Sequence, residues 1–165
     1  MKAQKQIRKK ENKEDSDSLE PIDISSIDKN EISEGDLTEE QEIYRENILD
    51  HYRHPHNVGK IELPTFCKEE FNPLCGDRIE LFVQLDKKNN VVDVKYIGRG
   101  CAISQASMSL LSDTLKGKNI EELKKMTRED ILDLLKIPVG VVRLKCAMLS
   151  LKTLQEGIAE YEDTK

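Results

Sequence analysis

The sequence predicts an α+β fold, a small three-stranded antiparallel sheet packed against several helices. Three observations carry that prediction: a period-two apolar pattern around Ile79 to Leu85, a β-branched run over Val91 to Ile97, and helical spacing of apolar residues from Cys101 onward. Strands first and helices afterwards favour segregated layers over alternating βαβ units, and no internal repeat is visible.

Taken in order, residues 1–40 are charged and poor in bulky apolar residues, with no sustained period. Such a segment buries too little apolar surface to offset its ordering entropy, so it reads as an acidic, disordered tail preceding a domain over 41–165. A docking arm around Ile22, Ile24 and Ile27 is the alternative. Thr38 suits a helix N-cap, with Glu39 and Glu40 at the positive end of the dipole. Ile43 or Tyr44, then Ile48, Leu49 and Tyr52, follow at helical spacing until Pro55, and Asn57-Val58-Gly59 reads as a turn.

A short strand over Phe66 to Phe71 precedes the confident one, where Ile79, Leu81, Val83 and Leu85 alternate with Arg78, Glu80, Gln84 and Asp86. Lys87 to Asn90 forms a polar turn into Val91–Ile97. Helices are then expected over Cys101 to Lys116, Ile120 to Met126, Arg128 to Leu135 (opened by Thr127 with Asp130 three residues on) and Arg143 to Glu160.

The chain has 165 residues, 37% hydrophobic and 35% charged, enough for one domain with a real core. Residues 1–40 hold 12 acidic and 7 basic residues, five of the six net negative charges, so the remainder is nearly neutral. A nucleic-acid footprint would be basic and clustered, and nucleic acid is excluded as a partner. No run approaches the roughly 20 apolar residues of a membrane span, so no membrane is expected either. The acidic N-terminal stretch lacks the apolar core of a secretory signal, and the expected location is cytoplasmic.

Four cysteines, Cys67, Cys75, Cys101 and Cys146, therefore read as metal, sulfur or core residues rather than a disulfide framework. Pro73 and Gly76 make a turn that projects Cys75 and Asp77 from the edge of the sheet, and thiolate and carboxylate are both ordinary zinc and iron ligands. Gly98 and Gly100 let the backbone approach something closely before Cys101 opens a helix, where the dipole favours a thiolate. Arg143 and Lys145 place two cations beside Cys146. Each segment also reads as a plain turn or a core cysteine. Intervals of 26 and 45 residues between the three cysteines do not match a zinc finger, so a shared site has to be assembled by the fold. His51, His54 and His56 are closely spaced, but a surface or capping role is favoured over a metal site; Cys67 reads as a bystander or a spare sulfur acceptor.

Several ordered motifs together carry a resemblance: Ile48-Leu49-Asp50-His51-Tyr52 with Pro55, Asn57 and Gly59; Asn72-Pro73-Leu74-Cys75-Gly76-Asp77; Gly98-Arg99-Gly100-Cys101-Ala102-Ile103-Ser104-Gln105-Ala106-Ser107; and Lys145-Cys146-Ala147. From about Tyr44 to Ile158 the chain resembles the IscU, SufU and NifU N-terminal family of iron–sulfur scaffold proteins. The resemblance implies the family's α+β fold and a metal site of Cys75, Asp77, Cys101 and Cys146. It implies a scaffold that takes persulfide sulfur from a cysteine desulfurase and builds a transient iron–sulfur cluster of the [2Fe–2S] type for downstream acceptor proteins. The alternative is a zinc-dependent sulfurtransferase that relays sulfur, with zinc as the resting metal. Cys75 is the implied persulfide acceptor in SufU-like members and Cys146 in IscU-like ones, and the expected state is a monomer or weak dimer. Purely structural zinc is a third reading. Lys145 stands where IscU proteins have His and Arg143 is SufU-like, yet the interval to Cys146 is too short for the usual SufU insertion. Val139-Gly140-Val141-Val142-Arg143 replaces the proline-rich chaperone motif of IscU, so the subtype is mixed.

Overall fold

The computed structural model describes residues 36–165. The expected docking arm at Ile22, Ile24 and Ile27, and nearly all of the expected tail, lie outside the described residues. Eight elements follow in order: α1 (Glu39–Arg53), β1 (Phe66–Phe71), β2 (Arg78–Leu85), β3 (Val91–Arg99), α2 (Ala102–Leu115), α3 (Ile120–Leu123), α4 (Arg128–Leu135) and α5 (Val141–Asp163).

The strands form an antiparallel meander in the order β1-β2-β3. Its register pairs Phe66 with Val83 and Leu81 with Tyr96, and slips by one residue at Gln84/Leu85 so that Leu85 meets Val91. The turn between β2 and β3 is held by Asp86, whose carboxylate accepts from the Lys88 and Asn90 amides at 2.8 Å each. Helix α5 lies over β1 and β2, α2 covers β3, and α1 and α4 pack against α2. The core sits between the sheet and this helical layer: Ile79, Leu81 and Val83 of β2 and Val94 of β3 against Ile103, Leu111 and Leu154. Each such side chain contributes about 1.5–3 kcal/mol by leaving water.

Local rules explain most boundaries. Thr38 and Gln41 form the reciprocal capping box of α1, with the Gln41 amide donating to Thr38 Oγ1 at 3.3 Å and the Thr38 amide to Gln41 Oε1 at 3.0 Å. The Thr127 amide donates to Asp130 Oδ2 at 2.6 Å to open α4. Of the two candidates near the start of α1, Tyr44 packs against the core and Ile43 faces solvent. Several details differ from expectation, among them the ends of β3 at Arg99 and of α5 at Asp163, where Ile97 and Glu160 were expected. Helix α3 ends at Leu123 rather than Met126. Helix α5 starts at Val141, two residues early, with Gly140 as its N-cap and Val141 and Val142 exposed in its first turn. Phe82, on the face opposite Leu81 and Val83, is also buried, so β2 is apolar on both faces at that point.

Candidate metal centre

The turn between β1 and β2 is organised by Asn72, a buried residue whose backbone oxygen accepts from the Gly76 amide at 2.8 Å and whose side-chain oxygen accepts from the Leu74 amide at 3.1 Å. The Asn72 amide in turn donates to the Asp77 carbonyl at 2.7 Å. Gly76 sits at φ 74°, a conformation that favours glycine. The segment is therefore a closed turn, as Pro73 and Gly76 imply. It leaves Cys75 exposed and tucks Asp77 inward to 2% exposure.

The strand-to-helix joint delivers Cys101. Cys101 is the N-cap of α2, and its amide donates to Asp77 Oδ1 at 3.0 Å while its Sγ lies 3.6 Å from Asp77 Oδ2. The close approach anticipated from the glycines is this one. Gly100 adopts φ 154°, and a Cβ there would collide with the Asp77 carboxylate and come within 2.7 Å of Ser104 Oγ. Gly98 similarly vacates the space that the Gln105 side-chain amide fills.

Cys146 arrives on the second turn of α5 with 2% exposure, and its Sγ is 3.4 Å from Cys75 Sγ. That is far beyond an S–S bond of about 2.05 Å and close to the ~3.8 Å that two thiolates adopt on one tetrahedral zinc with Zn–S near 2.3 Å. One ligand atom each from Cys75, Asp77 and Cys146 lie within 4.8 Å of one another. Cys101 joins them through Asp77. The expected four residues thus converge, and Cys67 does not: it is an exposed residue of β1.

The electrostatics of Cys146 differ from expectation. Burial pushes its thiol up, and the hydrogen bond to Cys75 together with the charges of Cys101 and Asp77 push in the same direction. Arg143 and Lys145 do not outweigh this. The Cys146 thiol therefore disfavours its own ionisation until a cation arrives, and metal binding would release the proton. Soft sulfur with one oxygen is a donor set suited to zinc or to iron–sulfur chemistry.

Two neighbours were not singled out from sequence. Ser104, wholly buried, donates from Oγ to the Cys101 carbonyl at 3.1 Å and stands 3.9 Å from its Sγ. The Tyr52 phenol is raised above its usual value by burial and then by the charge of Cys101, which places α1 beside the centre. Helical periodicity marked Tyr52 only as a packing residue.

The histidines divide. His54 is exposed and pairs through Nδ1 with Asp50 at 3.0 Å, as a surface role requires. His51 departs from that reading: it is buried at 7%, bonded through Nδ1 to Ser109 Oγ at 2.8 Å. Burial, then the neighbouring His56, lowers its pKa and keeps the ring neutral. His56 Nδ1 lies 2.6 Å from Asp113 Oδ2 on α2.

Fold and site together define a small α+β protein in which two loops and a helix bring three cysteines and a carboxylate together. The model of the NifU-like N terminal domain matches residues 43–165, and the chain belongs to that family. It is 39% identical over 137 residues to the zinc-dependent sulfurtransferase SufU of Bacillus subtilis (strain 168), covering 73% of this chain and 92% of the relative. It is 33% identical over 128 residues to the iron–sulfur cluster assembly enzyme IscU of Drosophila melanogaster, covering 73% and 79%. A crystal structure from the thermophile Fervidobacterium islandicum AW-1, described as an iron–sulfur cluster assembly scaffold protein for the SUF system, superposes with a TM-score of 0.61 at 30% identity, over 72% of this chain and 98% of that one.

Proposed function

We propose that this protein is an iron–sulfur cluster assembly scaffold that accepts persulfide sulfur from a cysteine desulfurase and holds a nascent cluster on Cys75, Asp77, Cys101 and Cys146. The observation that carries the reading is an exposed thiol, Cys75, set 3.4 Å from a buried one, Cys146, with a buried carboxylate between the two and Cys101.

Exposure supports Cys75 as the first acceptor. A desulfurase persulfide can reach Cys75 but not the sealed Cys146. The Cys75 thiolate attacks the terminal sulfur, the S–S bond breaks, and the desulfurase cysteine leaves as thiolate. Cys146, 3.4 Å from Cys75, and Cys101 are the neighbouring sulfur donors, and Asp77, held by the Cys101 amide, supplies the single oxygen donor. Turning that sulfur into sulfide takes two electrons from a separate thiol-class or iron–sulfur-class donor. Oxygen is an unusual donor for a cluster, and its weak hold suits a cargo, taken here as [2Fe–2S], that passes to acceptor proteins. The scaffold domain spans 41–165, with 1–40 as a tail, and works in the cytoplasm as a monomer or weak dimer. Among the described residues no helix is long and apolar enough to cross a membrane.

The second reading, a zinc-dependent sulfur relay, is favoured by the 39% identity to the Bacillus subtilis sulfurtransferase and by Lys145 preceding Cys146. The same four residues would hold zinc, which when bound keeps the thiols deprotonated for sulfur transfer.

Anaerobic reconstitution with cysteine, ferrous iron and a cysteine desulfurase, followed by iron and sulfide analysis, separates the two. A chromophore with matching iron and sulfide, lost in Cys101→Ser, establishes the scaffold. Retained zinc, no chromophore and faster desulfurase turnover establish the relay.

A further inference from the structure

A second group of donors lies where α1 runs into the following loop and meets α2. One imidazole nitrogen each from His51 and His56 and one carboxylate oxygen from Asp113 lie within 4.8 Å of one another. The two rings stand 4.5 Å apart between centroids. We propose that His51, His56 and Asp113 form a second metal site, separate in its ligands from the cysteine centre, that takes a zinc-class divalent transition ion.

The donors around this group fix its geometry. Ser109 Oγ holds His51 through Nδ1 at 2.8 Å and also accepts from the His56 backbone amide at 2.8 Å, so one hydroxyl sets the positions of both histidines. Asn57 donates from Nδ2 to Asp113 Oδ1 at 2.8 Å and to Ser112 Oγ at 2.9 Å, which leaves Oδ2 facing His56. Such outer partners orient imidazole and carboxylate ligands and are half the construction of a metal site. The Tyr96 hydroxyl, wholly buried, lies against the same corner beside Ser109 and Asp113.

The donor set selects the class of ion. Two imidazoles and one carboxylate suit zinc, cobalt or nickel, whereas calcium and magnesium want shells of oxygen. His56 and Asp113 are about half exposed, so an ion can enter from solvent and keep a water as its remaining ligand. Their present 2.6 Å separation is that of a hydrogen bond. Ligands at 2.0–2.2 Å on a tetrahedral ion stand about 3.4 Å apart. The two exposed side chains therefore open by less than 1 Å, and the shared proton leaves. An ion bound here ties the end of α1 to α2.

Cobalt titrated into the untagged full chain tests this, because cobalt on thiolates shows an intense sulfur-to-metal charge-transfer band and cobalt on nitrogen and oxygen does not. The expected result is one equivalent of bound cobalt without that band, lost in both His56→Ala and Asp113→Asn, while any thiolate band keeps its full intensity and circular dichroism is unchanged. Zinc should then raise the melting temperature of Cys75→Ser and lose that effect in Cys75→Ser/His56→Ala. Absence of the band-free equivalent reduces the group to a hydrogen-bond cluster and overturns the proposal, as does an equivalent that survives both variants. The thiolate band reports on the cysteine centre alone, so failure of either reading is seen separately.

Discussion

The cysteine centre and the histidine group are built in opposite ways. In the cysteine centre, three segments separated by 26 and 45 residues bring their donors together, with Cys75 exposed, Cys101 half-buried and Cys146 buried. In the histidine group, two donors five residues apart meet a third on the neighbouring helix; the single buried member, His51, anchors two half-exposed partners. The first demands a special backbone, with glycine at φ 154° so that Asp77 fits beneath Cys101. The second is organised by side chains, above all by Ser109. One centre depends on what the chain lacks at Gly100, the other on what Ser109 offers.

Substitutions at these two residues separate the clusters. Gly100→Ala has the largest expected effect: a Cβ in a strained backbone region, pressed against a buried carboxylate, costs about 3 kcal/mol. Its melting temperature should fall and its metal loading on the cysteines should drop, with the histidine group untouched; a variant that folds and loads normally would show that Asp77 tolerates displacement. Ser109→Ala is expected to cost about 2 kcal/mol, since it strips a partner from the buried His51 ring and from the His56 amide. Denaturant titration measures it, and cluster reconstitution should be unchanged.

The smallest expected effect is a pH dependence of the metal-free protein. His51 faces His56, Asp113 and Asp50, and its pKa is lowered in the fold, so the unfolded chain takes up the proton first as pH falls. The stability due to His51 is then fully present above its ordinary value near 6.5 and is lost as pH drops through the lower folded value. Urea midpoints between pH 7.5 and 5 should fall more steeply in the wild type than in His51→Gln, whose side chain carries no titrating proton.

Local pattern was a good guide wherever one face of an element decided its fate. The strand Phe66–Phe71 and the helix Arg128–Leu135 have the bounds expected of them, because alternation and a Thr–Asp capping box are local signals. Cys75, Asp77, Cys101 and Cys146 were legible as a set through their ordered motifs, which the fold then drew together. Patterns failed where a residue's neighbours come from afar. His51 read as a surface residue because its burial is created by α2 packing on α1. Phe82 broke the alternation of β2 for a reason that alternation cannot contain.

By itself, then, the sequence determined the elements, their order, the family and which residues carry donor atoms, since periodicity, caps and motif spacing are properties of nearby residues. Tertiary structure alone decided that Cys75 is open while Cys146 is sealed and held protonated, and that Gly100 makes room for Asp77. It also decided that His51, His56 and Asp113 share one corner. Exposure, desolvation and distance across 50 residues or more are set by what the folded chain places around a group, and no local window holds that information.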